Sequence, residues 1–436
     1  MHTVQRDPAS TSRRARSASH RATSEVRARN SARRHIGEAA AAGAAGAEPR
    51  PGARVPWHYA KDVSAYLDPG DDTRVTRRHV RYAQRGLLWR ESRLERVRKC
   101  GRVTHGGDGG NVRARVRQEV AHFSGLTSCG SIWACPVCSA KIRNGRAEEI
   151  SAAAASWDAA GNTVVMLTLT FPHDMSMRLA ATLPLLADGF RAVISGRAWL
   201  RVRKHLGIAG TIRSVEVTSG TAGWHPHAHC LLMLRGELQA EGLAELALYI
   251  RARWSRWITS QGYRLPHQVH GADLMICRSA EEAGLYMAKT QDGRSTGNEM
   301  ARADMKQGRE GSRTPLEILD DFRWTGNAGD LALWHEYESA TKGHQCITWS
   351  KGLREIIADE TGWQAEEMTD DELAGVEIGG EDVAIIPAEV WNGIVKIPGL
   401  DAAVLGACER GGLAAMNKLL ARHGLGPCLP PGTSLP

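Results

Sequence analysis

Residues 214–234 read SVEVTSGTAGWHPHAHCLLML: two apolar strands joined by a Gly-rich turn, with three histidines opening the second strand. Alternate side chains of a strand share a face, so His227 and His229 point one way and Ala228 the other. Two imidazoles at that spacing can hold one divalent cation. On the preceding strand, residues 212–217 set Glu216 among apolar neighbours, and a hairpin brings that carboxylate beside the pair. Two histidines and one carboxylate leave coordination positions open, as a catalytic metal requires. A sheet edge with solvent-facing histidines is the plain alternative.

Further along, residues 280–290 read AEEAGLYMAKT and have helix-forming composition. Residues three and four apart on a helix share a face, which aligns Glu282, Tyr286 and Lys289 as a carboxylate, a phenol and an ammonium. Such a set is a nucleophile with helpers. A tyrosine oxygen that attacks a phosphodiester forms a covalent phosphotyrosine, and a metal ion stabilises the charge on the phosphoryl oxygens. Without the histidines, Tyr286 reads as a packing residue with a polar tip.

The chain has 436 residues, 42% of them hydrophobic, enough for two or three domains. Its net charge of +8 is unevenly spread: residues 74–117 hold 14 basic and 3 acidic side chains, whereas residues 355–382 hold 11 acidic ones and no Lys or Arg. A polyanion would meet the front half, the footprint of nucleic-acid binding. Residues 1–72 read as a flexible basic arm without an apolar signal core. No apolar run reaches the roughly 18 residues of a membrane span. The expected location is the cytoplasm, with no membrane partner.

Residues 73–150 open with a basic helix over 75–99, whose Arg77, Arg78, Arg81 and Arg85 are candidates for phosphate contact. Cys100, Cys129, Cys135 and Cys138 follow, the last two in a Cys-Pro-Val-Cys knuckle. Nine cysteines, an odd number, point to metal binding in a reducing compartment, and four thiolates suit tetrahedral Zn²⁺. No βαβ pattern surrounds the knuckle, which argues against a thioredoxin-like redox pair. The alanine-rich helix after it carries Lys141, Arg143 and Arg146, three more candidates for DNA.

Residues 163–171 alternate as a strand, residues 176–205 read as helical, residues 242–260 form an amphipathic helix, and a short strand covers 273–277. The order β, α, β, β, α, β, α over residues 151–300 describes an α+β domain with an antiparallel or mixed sheet flanked by helices. No Gly-rich phosphate loop is present, which excludes the usual ATP-hydrolysing class. Residues 301–353 read as an accessory packed segment and residues 354–436 as an acidic C-terminal region.

Taken in order, ACPVC at 134–138, TLTF at 168–171, HPHAH at 225–229 and EAGLYMAK at 282–289 give the chain a likeness that spans residues 98–353. It resembles the rolling-circle replication initiators of small Gram-positive plasmids, in the HUH endonuclease superfamily, above all those of actinobacterial plasmids. The resemblance implies an HUH-type fold, with Mg²⁺ or Mn²⁺ held by His227 and His229. It implies that Tyr286 nicks one strand of plasmid origin DNA, keeping a 5′-phosphotyrosine and freeing a 3′-hydroxyl that primes host polymerase, with a host helicase as a further partner. Glu282 then assists a terminating hydrolysis, and Lys289 lowers the phenol's pKa or neutralises a phosphoryl oxygen. Glu216 is the preferred third ligand and His225 its competitor. Ala228 stands where the family carries a larger hydrophobic residue. Rival readings are a single-strand transposase or mobilisation relaxase of the same superfamily, and a non-enzymatic zinc-module DNA-binding regulator.

Overall fold

The structure, a computed structural model, describes residues 73–277, Ser279, Ala283, Gly284, Met287, and residues 312–364, 367–375 and 379–433. The basic arm expected at 1–72 lies outside them. The described chain begins with helices α1 (Thr73–Glu91) and α2 (Glu95–Lys99), the strands β1 (Val112–Arg117) and β2 (Val120–Ser124), and the long helix α3 (Pro136–Ala159). Pro136 opens α3 where its missing N–H has no helical partner to lose. Then come β3 (Thr163–Leu169), α4 (Leu179–Val193), α5 (Gly196–His205), β4 (Ile208–Gly220), β5 (Gly223–Leu234), α6 (Ala240–Ser260) and β6 (Ala272–Ile276). The remainder holds α7 (Pro315–Thr325), α8 (Ala328–Thr341), β7 (Ile347–Trp349), α9 (Leu353–Thr361), α10 (Asp370–Gly375), β8 (Glu381–Ile386), α11 (Ala388–Ile394) and α12 (Leu400–Arg422).

Five strands form an antiparallel sheet in the order β6-β3-β5-β4-β7. Its centre is the β4–β5 hairpin, whose apolar alternation lets both faces be covered. On one face Leu167, Leu169, Val217, Ala228, Cys230 and Leu232 pack against α4 and α6 through Leu186, Phe190, Ile250 and Trp254. On the other, Val164, Met166, Ile212, Leu231 and Met233 pack against α3 and α9 through Ile150, Ala154, Trp157 and Ile357. The α+β class and the antiparallel sheet flanked by helices are those the sequence pattern predicts.

Three features differ from the sequence reading. The helix expected over 75–99 stops at Glu91, because Ser92 Oγ and the Arg93 N–H both donate to the buried carboxylate of Glu338 on α8. The helix expected over 176–205 is two helices bent by 63°. Of the segment 301–353, the described residues 312–353 are built into the domain: β7 extends the sheet beside β4, and Trp334 and Tyr337 are fully buried in its core.

The acidic C-terminal region is also folded into the front of the chain. β8 pairs with β1, completing a three-stranded antiparallel sheet in the order β2-β1-β8. Trp391, Leu400, Val404 and Leu405 from α11 and α12 cover it, against Val112, Ala114 and Ile386. The regions 73–150 and 354–436, separate in the sequence reading, thus share one hydrophobic core. Among the described residues no single helix is long and apolar enough to cross a membrane.

Candidate metal centre

Three alternate rungs of the β4–β5 pairing are Ser214 with His229, Glu216 with His227 and Thr218 with His225. Strand alternation places them on the α3 and α9 face, in line with Leu231 and Met233. On this face Glu216 Oε2 lies 3.1 Å from His227 Nε2 and 3.4 Å from His229 Nε2. One donor atom from each residue falls within 4.8 Å of the others, and the 3.1 and 3.4 Å separations are ones that a cation with bonds of about 2.0–2.2 Å can bridge. The side chains of His227 and Glu216 remain 15% and 20% exposed, so a ligand can reach this group from solvent.

His229 is fixed from behind. Its Nδ1 shares a 3.1 Å hydrogen bond with Thr168 Oγ1 on β3, leaving Nε2 toward Glu216. A second-nitrogen bond of this kind sets ring orientation at metal sites. Thr168 is therefore a positioning residue to which the sequence reading gave no role. Its signal was present in the TLTF alternation, but reading it needs the register that pairs Thr168 with His229. His225 turns elsewhere: its Nε2 bonds Thr170 Oγ1 at 2.7 Å, and its ring stacks on His173 with centroids 4.5 Å apart. Of the two candidates for third ligand, Glu216 is the one the fold brings to the pair.

Tyr286, Glu282 and Lys289 lie outside the described residues. Three residues beside them are described. Ala283 and Met287 are buried among Ile150, Ala154, Val164 and Met166, on the same sheet face as His227 and His229. Gly284 abuts α3 so closely that a Cβ there would stand 2.9 Å from Ser151 Cβ and 3.0 Å from the carbonyl oxygen of Ala147.

A second donor set stands where the cysteines converge. Cys135 and Cys138 flank the first turn of α3, and the segments after α2 and before α3 bring in Cys100 and Cys129. Their sulfurs are 3.5 Å (Cys100–Cys138), 3.6 Å (Cys100–Cys135) and 3.7 Å (Cys129–Cys138) apart. Four sulfurs about 2.3 Å from a tetrahedral centre stand about 3.8 Å from one another, so the set has the size of a four-thiolate site. All four are buried free thiols. Hydrogen bonds from Cys100, then Cys129 and Cys135, hold the Cys138 thiol well below its ordinary range.

With both sites described, the likeness to other proteins can be placed on them. A family model described as a replication protein matches residues 126–258, from the cysteine segment through β4 and β5 into α6. The chain is 32% identical over 348 residues to Protein rep of Streptomyces lividans, a match that covers 66% of this chain and 76% of that one. The chain belongs to the Rep family of replication proteins. It is also 33% identical over 159 residues to a protein named neomycin resistance protein from Streptomyces cyanogenus, covering 31% of this chain and 36% of that one. No solved structure matches it.

In this Rep-family chain, four of the arginines expected to meet DNA face inward, which corrects that expectation. Arg78 forms a bidentate pair with Glu409 at 2.6 and 2.9 Å, and Arg85 pairs with Asp401 at 2.9 Å. Arg143, 2% exposed, donates to Ser139 Oγ and Cys346 Sγ. Arg146 donates to Glu149, Asp370 and the carbonyl of Met368. The acidic C-terminal region supplies most of these partners. Arg77 and Arg81 are half-buried beside Glu317 and Asp320, and Lys141 is exposed, its Nζ 3.4 Å from the Ala374 carbonyl.

An exposed basic face lies on α5, GRAWLRVRKH. Trp199 anchors that helix to the core, while Arg197, Arg201 and Lys204 are exposed on the outer face and make no ion pair among the described residues. Period 3.6 in residues 196–205 carries this signal, and the sequence reading left it unused.

Proposed function

We propose that the chain initiates plasmid rolling-circle replication by nicking one strand of the double-strand origin. The observation that carries this reading is the cluster of Glu216, His227 and His229 on the sheet face against which Ala283 and Met287, the chain neighbours of Tyr286, are packed. A divalent cation, Mg²⁺ or Mn²⁺, bound by that cluster would polarise the scissile phosphate and spread its charge. Tyr286 attacks phosphorus through its phenolate oxygen. The bond to the 3′-oxygen breaks, that oxygen takes up a proton as a free 3′-hydroxyl, and the 5′ end stays on the tyrosine. Lys289 stabilises the phenolate, and Glu282 draws a proton from water in the hydrolysis that ends a round.

Zn²⁺ on Cys100, Cys129, Cys135 and Cys138 would tie the start of α3 to the segment after α2 and stiffen the unit formed by the front and end of the chain. Duplex origin DNA is held on the exposed basic groups by its phosphates. The free 3′-hydroxyl then primes host polymerase in the cytoplasm, while a host helicase opens the duplex ahead of it.

The test is a nicking assay on supercoiled plasmid from the same replicon, with and without Mg²⁺ or Mn²⁺. The parent chain should relax the plasmid and leave a protease-sensitive adduct on one strand, and Tyr286→Phe should leave none. An adduct that persists in Tyr286→Phe removes Tyr286 from the mechanism. Nicking at the transfer origin in place of the replication origin identifies a relaxase.

A further inference from the structure

Arg213 precedes Ser214 on β4, so its side chain leaves the sheet on the face opposite His229. It stands over the ring of Phe190, with Cζ 5.5 Å from the centroid, in a cleft of about 320 Å³. Arg191, His344 and Gln345 line the same cleft, with Trp133 and Val215 as its floor. No carboxylate lines it.

The arginines that tie the front of the chain to its C-terminal elements meet carboxylates, as Arg78 meets Glu409, Arg85 meets Asp401 and Arg146 meets Asp370. Arg213 does not. Its Nε is buried without a hydrogen-bond partner among the described residues, and no acidic side chain pairs with it. Desolvation by burial outweighs the neighbouring Cys230 and Cys346 thiols and, with the positive charge of Arg191, lowers its hold on a proton, in keeping with a cation that faces no carboxylate. A guanidinium remains charged under such a load, so the missing partner is an anion. Arg191 has an exposed pairing with Asp188 at 2.7 Å, a contact weak enough to be shared with a ligand. The indole N–H of Trp133 donates to the His344 carbonyl at 2.7 Å and fixes the segment that carries His344 and Gln345.

We propose that this cleft binds a phosphate group, with Arg213 and Arg191 as its charged donors and His344 and Gln345 as neutral ones. Two forked guanidinium groups suit the oxygens of a phosphate. The volume is at the lower end of small-ligand sites, enough for a phosphate with an attached sugar. The phosphate comes from the backbone of bound DNA passing the β7 edge of the sheet, or from a free nucleotide. The site is separated from the metal centre by the thickness of the sheet, and no step of strand cleavage is needed for it.

The experiment is phenylglyoxal labelling of the full chain, with adducts at each arginine mapped by peptide mass. It is run alone and with inorganic phosphate, a deoxynucleoside monophosphate or a short single-stranded oligonucleotide, and the exposed Arg422 at the end of α12 serves as the standard. Protection of Arg213 beyond that of Arg422 by phosphate or the nucleotide identifies a free ligand, and protection by the oligonucleotide alone identifies the DNA backbone. Arg213→Gln should weaken binding of the protecting species about tenfold, the scale of a lost charge-assisted hydrogen bond, with an unchanged far-UV spectrum. An Arg213 that resists the reagent without ligand, or that reacts equally under all four conditions, overturns the proposal, as does equal protection of Arg422.

Discussion

Glu216 and His227 face each other across the β4–β5 pair with Oε2 and Nε2 3.1 Å apart. The rung is fixed by a hairpin of 13 and 12 residues joined by only Thr221 and Ala222. A one-residue slip of β5 against β4 would turn both histidines into the apolar layer under α4 and α6 and leave Glu216 behind, so register places these donors together on one face. The geometry of the three donors is thus a property of the most extensive strand pairing among the described residues.

Glu216→Gln keeps the shape of that rung and removes its charge. Divalent-cation affinity should fall by one to two orders of magnitude, since a neutral amide is a poor substitute for a carboxylate ligand. Titration with Mn²⁺, followed calorimetrically, measures the change. An unaltered affinity would mean that the cation is held by other groups.

Thr168→Val tests the bond behind His229. Valine is close in size and favours strands, so the sheet should keep its stability, whereas losing the Nδ1 partner should lower cation affinity about 10- to 100-fold. A purely structural Thr168 would show the reverse: a shifted melting temperature with metal binding intact.

Gly284→Ala probes the segment that carries Tyr286. Its new methyl would meet Ser151 and the backbone of Ala147 on α3, so the segment must move outward. A displacement of about 1 Å at a reacting group costs on the order of 100-fold in rate. Nicking should therefore fall steeply while cation affinity stays at the parent value. Equal nicking rates in the two proteins would separate this contact from catalysis.

How far the sequence could be read depended on the range of each interaction. His227, His229 and Glu216 were legible because one hairpin and one strand period relate them. The four cysteines were legible because a Cys-x-x-Cys knuckle narrows the choice for the other two. The fate of Arg78 was not, since its partner Glu409 lies 331 residues away and a helix rich in arginine looks the same whether it faces phosphate or a buried carboxylate. The break after Glu91 was hidden for a similar reason: Glu338 imposes it from α8. β7, at three residues, is too short to show a period at all.

Arg85 and Asp401 form a pair whose side chains are only 4% and 5% exposed. Gly101, beside Cys100, makes room for it: its φ is +62°, and a Cβ would stand 2.1 Å from Arg85 Nη1. Removing one member strands the other charge in the interior, which costs about 3–5 kcal/mol. Arg85→Met and Asp401→Asn should each lower stability by that amount in urea unfolding. The double variant Arg85→Met with Asp401→Leu should recover most of it. Losses that simply add would show that the two residues contribute independently.

Asp382 and Glu409 join the hairpin at β1 and β2, and α1, to the C-terminal elements. Asp382 accepts from Arg113 and Arg115 at 2.6 Å each, and Glu409 accepts from Arg78 and from the Ala121 N–H at 2.8 Å. Desolvation works to raise both carboxyls, and the arginine bonds outweigh it. Arg115 and Arg113 hold Asp382 below its ordinary 3.8, while Arg78 and the Ala121 N–H hold Glu409 below its ordinary 4.5. A carboxyl depressed in the folded state contributes stability that is complete above its unfolded value and is lost as the pH falls through the folded one. The β2-β1-β8 sheet should therefore be fully stable above about pH 4.5 and weaken progressively in more acidic solution. Hydrogen exchange of the β8 amides over a pH series, corrected for intrinsic rates, follows this loss. Asp382→Asn should start less stable at neutral pH and lose less on acidification. Parallel acid profiles for that variant and the parent would place the acid sensitivity elsewhere in the chain.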